Sequence, residues 1–566
     1  MILTKDTFID GQSLTADVCI IGSGPAAISV ALSLANTSTS VIMITGGGWT
    51  ETVANQDLYR GIVAPGAPHE SLEENRRRQF GGTSAAWGGR CIPFEPVDFK
   101  KRAWVPDSGW PITYDDLLPY YERAAELCQI GRYEHNARNA FPANEPEIVA
   151  GLDSDDFVSY PLERWSPPVH FAKAYRTALE SSPNLRVLLD AHVLTLQMGD
   201  DAHRINHVAV TMGDRRLSVS AAQFVLAAGG IENPRLLLAS ANPQFPNGIG
   251  NQHDNVGRYY MAHLDGTYAE LKIRDRTKLH ADFERDAGGV YCRRRWWIPE
   301  PAQQAHRLLN SIFFLYHPTT QNGHRDVVFS SIYVAKSAIG VLGQKSIGRM
   351  VSKGKEVLPS VKEHAANILK NGLAQTPDLI RLALKRMEKR RLPYVLPSKR
   401  TEYWGLYFQA EQVPNRDSRV YLSTTQQDAF GIPRAEVHIA FKDVDVESVV
   451  KAHNLFAENF RGKNLGDIRY DEAGLRQYLK SQIDTFNSAS HHIGTTRMSD
   501  DPRTGVVDEH YKVYGTDNLF VAGSSVFPTG GHANPTLTIV ANALRLANHL
   551  SEHVLHESQS AVQHTP

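Results

Sequence analysis

Residue types suited to chemistry cluster near the two ends of the chain. Near the start, Gly22, Ser23, Gly24, Pro25, Ala26 and Ala27 follow the apolar run DVCII at 17–21 and precede ISVALSLAN. A buried strand, a glycine turn and a helix in that order form a dinucleotide cradle. Gly22 permits the turn, Gly24 lets the backbone approach a pyrophosphate, and Ala27 lets the helix pack on the strand. The orphan N–H groups and positive dipole end of the helix then face the phosphates. Near the end, SHHIGTT carries His491 and His492, and GGHANPT carries His532, Asn534, Pro535 and Thr536. An imidazole titrates near neutrality and can take the proton of a hydroxyl group. Asn534 before Pro535 and TLTIVANALRLANHL also reads as a helix cap, with the proline at the first helical position.

The elements that must position these residues are legible in outline. VIMIT at 41–45 reads as the second strand of the nucleotide fold. Such a strand ordinarily ends near an acidic residue that binds ribose hydroxyls. Here it ends at Thr45 and three glycines, with Glu51 further on. VLAAGGIENPRLLLAS at 225–240 reads as a strand, a turn and a helix, with Asn233 and Pro234 placed to cap and start the helix. NLRVLLDAHVLTL reads as one more strand, and the runs SRVYLSTT and AEVHIAF predict an antiparallel sheet. Gln409 and Glu411 alternate on one strand face, which either lines a pocket or forms a solvated sheet edge.

Composition narrows the function classes. The chain has 566 residues, enough for two domains, with 60 Lys plus Arg against 61 Asp plus Glu. That balance asks for no nucleic-acid partner. The four cysteines, Cys19, Cys91, Cys128 and Cys292, form no CxxC pair, so neither a metal centre nor a disulfide framework is expected. No signal peptide or 18-residue apolar span is apparent, and a cytoplasmic location is expected. Residues 345–400 carry 14 Lys or Arg against four Asp or Glu, with apolar residues at helical spacing. They predict a basic helical insertion: a solvated lid or oligomer contact, or a weak contact with a membrane or an electron-accepting protein.

Four more segments complete a family pattern: FGGTSAAWGGR at 80–90, GWPITYDDLLPYYER at 109–123, VLAAGGIENPRLLLAS, and the long C-terminal stretch from SHHIGTTRM to ANALRLANHL. With the N-terminal glycine motif, they resemble the glucose–methanol–choline (GMC) oxidoreductases, in particular the bacterial branch related to pyranose oxidase and to sugar and glycoside dehydrogenases. The likeness runs from about residue 16 to 550. It implies an α/β fold: a Rossmann-type FAD-binding domain (1–105, 185–265 and 485–566) interleaved with an α+β substrate domain built on an antiparallel sheet (106–184 and 266–484). It implies FAD-dependent oxidation of an alcohol carbon on a sugar, glycoside or polyol, with dioxygen or another acceptor reoxidising the flavin. Alternatives are another alcohol, such as a sterol, an amino sugar or a choline-like substrate, and a non-catalytic regulator on the same fold.

The resemblance also assigns residues. The base falls on His491, three residues before the Gly of the GT pair, and Asn534 is its partner at the flavin. The expected cofactor wall is Gly22, Ser23, Gly24, Pro25, Ala26, Thr45, Gly81, Gly82, Thr83, Ala86, Trp87, Gly88, Val193, Ala228, Gly229, Asn233, Gly523, Ser524, Asn534, Pro535 and Thr536. In pyranose oxidase a histidine just before the tryptophan of the glycine-rich segment is bonded to FAD. Ala86 holds that place here, so the FAD is expected to be non-covalent. Gln409, Glu411, His492 and His532 are expected near the substrate, and no metal is expected.

Overall fold

In this computed structural model the described residues are 1–143, 147–199, 203–317, 326–338, 361–387, 390, 392–394, 396, 401–485 and 491–563. The site rests on two sheets. The first is built on parallel strands in the order Ile2–Leu3, Leu185–Leu188, Val41–Ile44, Gln12–Ile21 and Arg215–Leu226. Its inner strands are continuous apolar runs because helices or other chain cover both faces. Val18 to Ile20 and Val41 to Met43 are fully buried.

The strand Arg215–Leu226 serves different neighbours along its length. Its first half pairs antiparallel with Ile205–Met212, and its last residues pair parallel with Leu519–Val521. The C-terminal segment thereby enters the nucleotide sheet. The helices Pro25–Leu34, Tyr114–Leu127 and Thr536–Gln563 pack together beside it.

The stretch read as one strand at 184–196 is two, Leu185–Leu188 and His192–Met198. Asp190 breaks the run with φ 52°, a left-handed conformation that Asp tolerates better than most residues. The second strand leaves the parallel region and pairs with Ile205–Met212.

The second sheet is antiparallel: Trp296–Trp297, Ser311–Tyr316, Trp404–Glu411, His263–Ile273 and Gly466–Arg469. The helix Asp443–Gly462 packs on it, with Phe456 and Phe460 fully buried in a core with Phe313 and Phe408. The runs SRVYLSTT and AEVHIAF do form an antiparallel pair, Arg419–Gln427 with Pro433–His438. That pair lies outside the large antiparallel sheet; it makes a small sheet with Ile62–Val63. A four-stranded antiparallel sheet joins Glu284–Arg285, Tyr291–Arg294, Leu162–Trp165 and Arg90–Cys91.

Of the basic region, 345–360 lie outside the described residues and Val361–Met387 is one helix. Leu369, Leu373, Ile380 and Leu384 are exposed along it. Their spacing puts them on one narrow stripe, because residues three and four apart share a helix face. Among the described residues no helix is long and apolar enough to cross a membrane.

Candidate active site

A cavity of about 690 Å³ opens at the ends of the parallel strands of the first sheet, with Ile21, Ile44 and Ala227 in its wall. One end is the turn after the strand Gln12–Ile21. Gly22 has φ 124°, and a Cβ there would stand 2.2 Å from the carbonyl oxygen of Ala227, so only glycine lets the turn meet the neighbouring strand. Gly24 caps the helix Pro25–Leu34, with Pro25 at its first position. A Cβ added at Gly24, Gly88, Gly229 or Gly523 would meet nothing within 4 Å. Gly24, Gly88, Gly229 and Gly523 all line the cavity. Bare backbone thus borders open space, as a flat ring system and a pyrophosphate require. The N-termini of both Pro25–Leu34 and Thr536–Gln563 contribute to the wall through Pro25, Ala26, Pro535 and Thr536.

Of the expected cofactor residues, all line this cavity except Gly81 and Asn233. Gly81 is a hinge: its φ is 96° and its N–H donates to the Ser23 carbonyl at 3.0 Å. Asn233 is fully buried one turn behind the wall. It is not the cap of its helix, which runs Glu232–Ala239 with Ile231 at the cap. Its amide accepts from the Ala228 N–H at 2.8 Å and donates to Ser525 Oγ at 3.0 Å, tying two wall segments together. Thr45 shares a 2.7 Å hydrogen bond with Ser23. Glu51 pairs with Arg77 instead of facing the cavity. The acidic residues at the wall are Glu70 and Glu74, from a loop that no strand-end motif marks, together with Glu232 and Asp428.

At the other end, His491 and Asn534 face each other, with Nε2 of the ring 3.2 Å from Asn534 Nδ2. Asn534 is not the helix cap. Pro535 gives its carbonyl to Ile539 N–H at 2.8 Å, and the helix begins at Thr536, so Asn534 stands one residue ahead with its amide free for His491. His491 Nδ1 lies 2.9 Å from Nδ1 of His263, the first residue of the strand His263–Ile273. With Asn534 donating to Nε2, the neutral His491 ring carries its proton on Nδ1 and donates to His263. Burial, then the neighbouring His263, His492 and Arg90, hold His491 well below the usual histidine value, and burial holds His263 down to about 4. Both rings are neutral at pH 7.

His492 also lines the cavity and stacks on His69, ring centres 6.2 Å apart. Its carbonyl accepts from Ser524 Oγ at 2.7 Å. A Cβ at Gly230 would approach the His492 carbonyl oxygen to 2.3 Å, which fixes that crossing. His532 is fully buried and its carbonyl accepts from Gln409 Nε2 at 2.6 Å. Gln409 lies behind the wall and touches Asn534 Oδ1 at 3.5 Å.

Glu411 leaves the expected group. Both its oxygens go to Arg102, at 2.8 and 2.5 Å, and neither side chain reaches solvent. The strand Trp404–Glu411 is therefore neither a solvated edge nor, at Glu411, a pocket wall: it is an interior strand. Sequence reasoning missed His263, whose segment YYMAHLDG carries no motif. It also passed over Arg90, which ends the glycine-rich segment and lines the cavity beside His491.

Residues 414–543 match the family model described as GMC oxidoreductase. The C-terminal part of the chain thus carries the GMC oxidoreductase pattern. Similarity to relatives extends over nearly its whole length. The 2-methyl-1,2-propanediol dehydrogenase of Mycolicibacterium austroafricanum is 22% identical, covering 94% of this chain and 95% of the relative. The fructose dehydrogenase large subunit of Gluconobacter japonicus is 23% identical, covering 95% and 98%. In fold, the chain resembles the crystal structure of pyridoxine 4-oxidase from Mesorbium loti, with TM-score 0.55 and 16% identity over 95% of this chain and 99% of that one. With these relatives, the chain is a flavoprotein oxidoreductase acting on alcohol groups. The bare-backbone cavity and its two helix N-termini fit FAD.

Proposed function

We propose that this flavoprotein oxidoreductase oxidises an alcohol carbon of a sugar, glycoside or other polyol, with His491 as general base and Asn534 as its partner. One observation carries the reading. His491 Nε2 and Asn534 Nδ2 converge at 3.2 Å on the cavity wall, with His491 held neutral. An alcohol oxygen seated beside both, in place of their mutual hydrogen bond, donates its proton to Nε2 and accepts from the Asn534 amide. Both contacts orient the carbon that gives up its hydride, and orientation supplies a large share of such rates. FAD, when bound, supplies the hydride acceptor. The proton passes to His491 and the product is the carbonyl compound. His263 holds the ring through Nδ1 and so keeps Nε2 as the basic nitrogen.

The likeness to a diol dehydrogenase and a fructose dehydrogenase supports the polyol class. The same proposal includes an FAD-binding part at 1–105, 185–265 and 485–566, and a substrate part at 106–184 and 266–484. The FAD is non-covalent at the glycine-rich segment, where Ala86 offers no nucleophile. Acid precipitation then leaves the yellow colour in solution; a yellow pellet would contradict it.

The decisive variant is His491→Ala. It lowers the rate of anaerobic flavin reduction by about a hundredfold or more while FAD stays bound. A variant that reduces its flavin at the normal rate would remove His491 from the role.

A further inference from the structure

Beside the reacting end lies a group of buried cations that its own carboxylates do not match. The register of the four-stranded sheet creates it. Glu163 stands opposite Arg293, and Arg90 lies diagonally across from Glu163 through its pairing with Trp165. Arg90 Nε donates to Glu163 at 2.5 Å, and Arg293 donates to the other oxygen of the same carboxylate. Arg295, fully buried, gives Nη2 to Glu95 at 2.8 Å. Three guanidinium groups thus pair with two carboxylates; the further acid close to Arg295 is Asp98, which burial raises to about 7. The neighbouring pairs are each one to one: Arg102 with Glu411, Arg164 with Asp286, and Arg294 with Glu284.

Donors are left over as well as charge. Arg90 Nη2, and Nε and Nη1 of Arg295, are buried without a hydrogen-bond partner, as are both ring nitrogens of His532. Burial drives His532 well below the usual histidine value, and the fields of Arg295 and Arg90 push it further. Desolvation likewise holds Arg295 below the ordinary guanidinium value and Arg293 down to about 10. Buried cations short of counter-charge are costly unless something supplies the missing anion.

Position says what that anion belongs to. Arg90 lines the cavity with His491 and Asn534. Its Nη1 donates to Gln409 Oε1 at 2.8 Å, and the amide of Gln409 reaches Asn534. One side chain therefore separates the spare guanidinium donor from the pair that would hold the alcohol oxygen. Trp165 lines the same cavity, and Phe314 lies under both Arg90 and Arg293.

We propose that the alcohol oxidised here is a hydroxy acid, whose carboxylate docks on Arg90 with Arg295 and His532 behind it while its carbinol sits beside His491 and Asn534. The proposal rests on the reading of this cavity as the alcohol-oxidising site and names the substrate class. A guanidinium suits a carboxylate because its planar donors match the two oxygens, and charge-assisted hydrogen bonds are the strong ones.

The test uses the FAD-loaded enzyme and matched pairs: aldonates against their amides, and uronates against their methyl esters. Binding is followed anaerobically by perturbation of the flavin absorption band, and turnover by bleaching of that band. The acids bind at least about tenfold more tightly than their neutral partners, the scale of a charge-assisted hydrogen bond, and are oxidised with higher kcat/KM. Arg90→Gln abolishes the preference, read as the acid-to-ester ratio so that a general loss of activity does not mimic it. Arg90→Lys keeps part of it. Equal or weaker binding of the acids overturns the proposal whether or not any alcohol is oxidised. Bleaching by neutral polyols with no acid preference sinks this inference and leaves the parent function standing. Tight binding of the acids without bleaching keeps the anion site and sinks the parent function.

Discussion

His491, proposed as the base, shows how burial retunes a common residue type. An isolated histidine titrates near neutrality and is half charged in the range where an enzyme works. Here burial first, and then His263, His492 and Arg90, push its value well below 6.5. The sign follows directly. The base works when neutral, so a lowered value keeps it active as pH falls through 6.5, and activity is lost only at more acid pH. The flavin-reduction kcat/KM accordingly stays flat from pH 8 down through 6.5. An acid limb centred at 6.5 or above would contradict the site. His263→Asn removes one of the influences that lower His491 and the anchor on Nδ1, and shifts the acid limb upward. A role confined to packing would lower activity without moving the profile. Asn534 makes a related point. Before Pro535 it reads as a cap, yet the helix starts at Thr536 and the amide is left for His491.

Elements decide which of these residues meet. The strand Arg215–Leu226 takes Gln12–Ile21 on one side and Leu519–Val521 at its end, so one sheet carries the first glycine turn and the approach to Gly523. The glycine turn and its helix were legible because a parallel strand, a tight turn and a close-packed helix each demand particular residue types in one order. His263 was not legible: its partner His491 is remote in sequence, and an antiparallel bridge between Met261 and Ile493 brings the rings together. Glu411 was misplaced for a related reason. Alternation along Trp404–Glu411 identifies a face but not what covers it, and Arg102 comes from the far side of the chain. The Arg102–Glu411 pair is wholly buried. Arg102→Ala leaves a buried carboxylate without its partner and destabilises the protein by about 3 to 5 kcal/mol. Denaturant unfolding measures it, and a loss below about 1 kcal/mol would show that the pair can be dispensed with.

At the scale of the molecule, the buried titratable groups set an acid limit. Burial holds His69, His192, His263 and His453 down to about 4 and His135 to about 3. Between those values and 6.5 the unfolded chain binds protons that the folded one refuses, so stability falls as pH falls through this window. Each such histidine removes about 1.4 kcal/mol per pH unit. Asp98 and Asp445, raised by burial to about 7, act in the opposite sense, because the folded state keeps their protons. The histidines outnumber them. Thermal unfolding monitored from pH 7 to 4.5 therefore shows a steadily falling Tm; a flat profile would mean that these rings are solvated. The same burial that makes the protein acid-sensitive keeps His491 and His263 neutral at the proposed alcohol site.

In the proposed function, one cavity joins FAD to an alcohol held by His491 and Asn534. The most direct measurement mixes the purified protein anaerobically with sugars, glycosides, hydroxy acids and small alcohols while the flavin band near about 450 nm is followed, as absorbance falls when a hydride is accepted. The account predicts bleaching by polyols or their acids, and loss of that bleaching in His491→Ala with the yellow cofactor still bound. A yellow protein that no alcohol bleaches, or a variant that bleaches as fast as the parent, would contradict it.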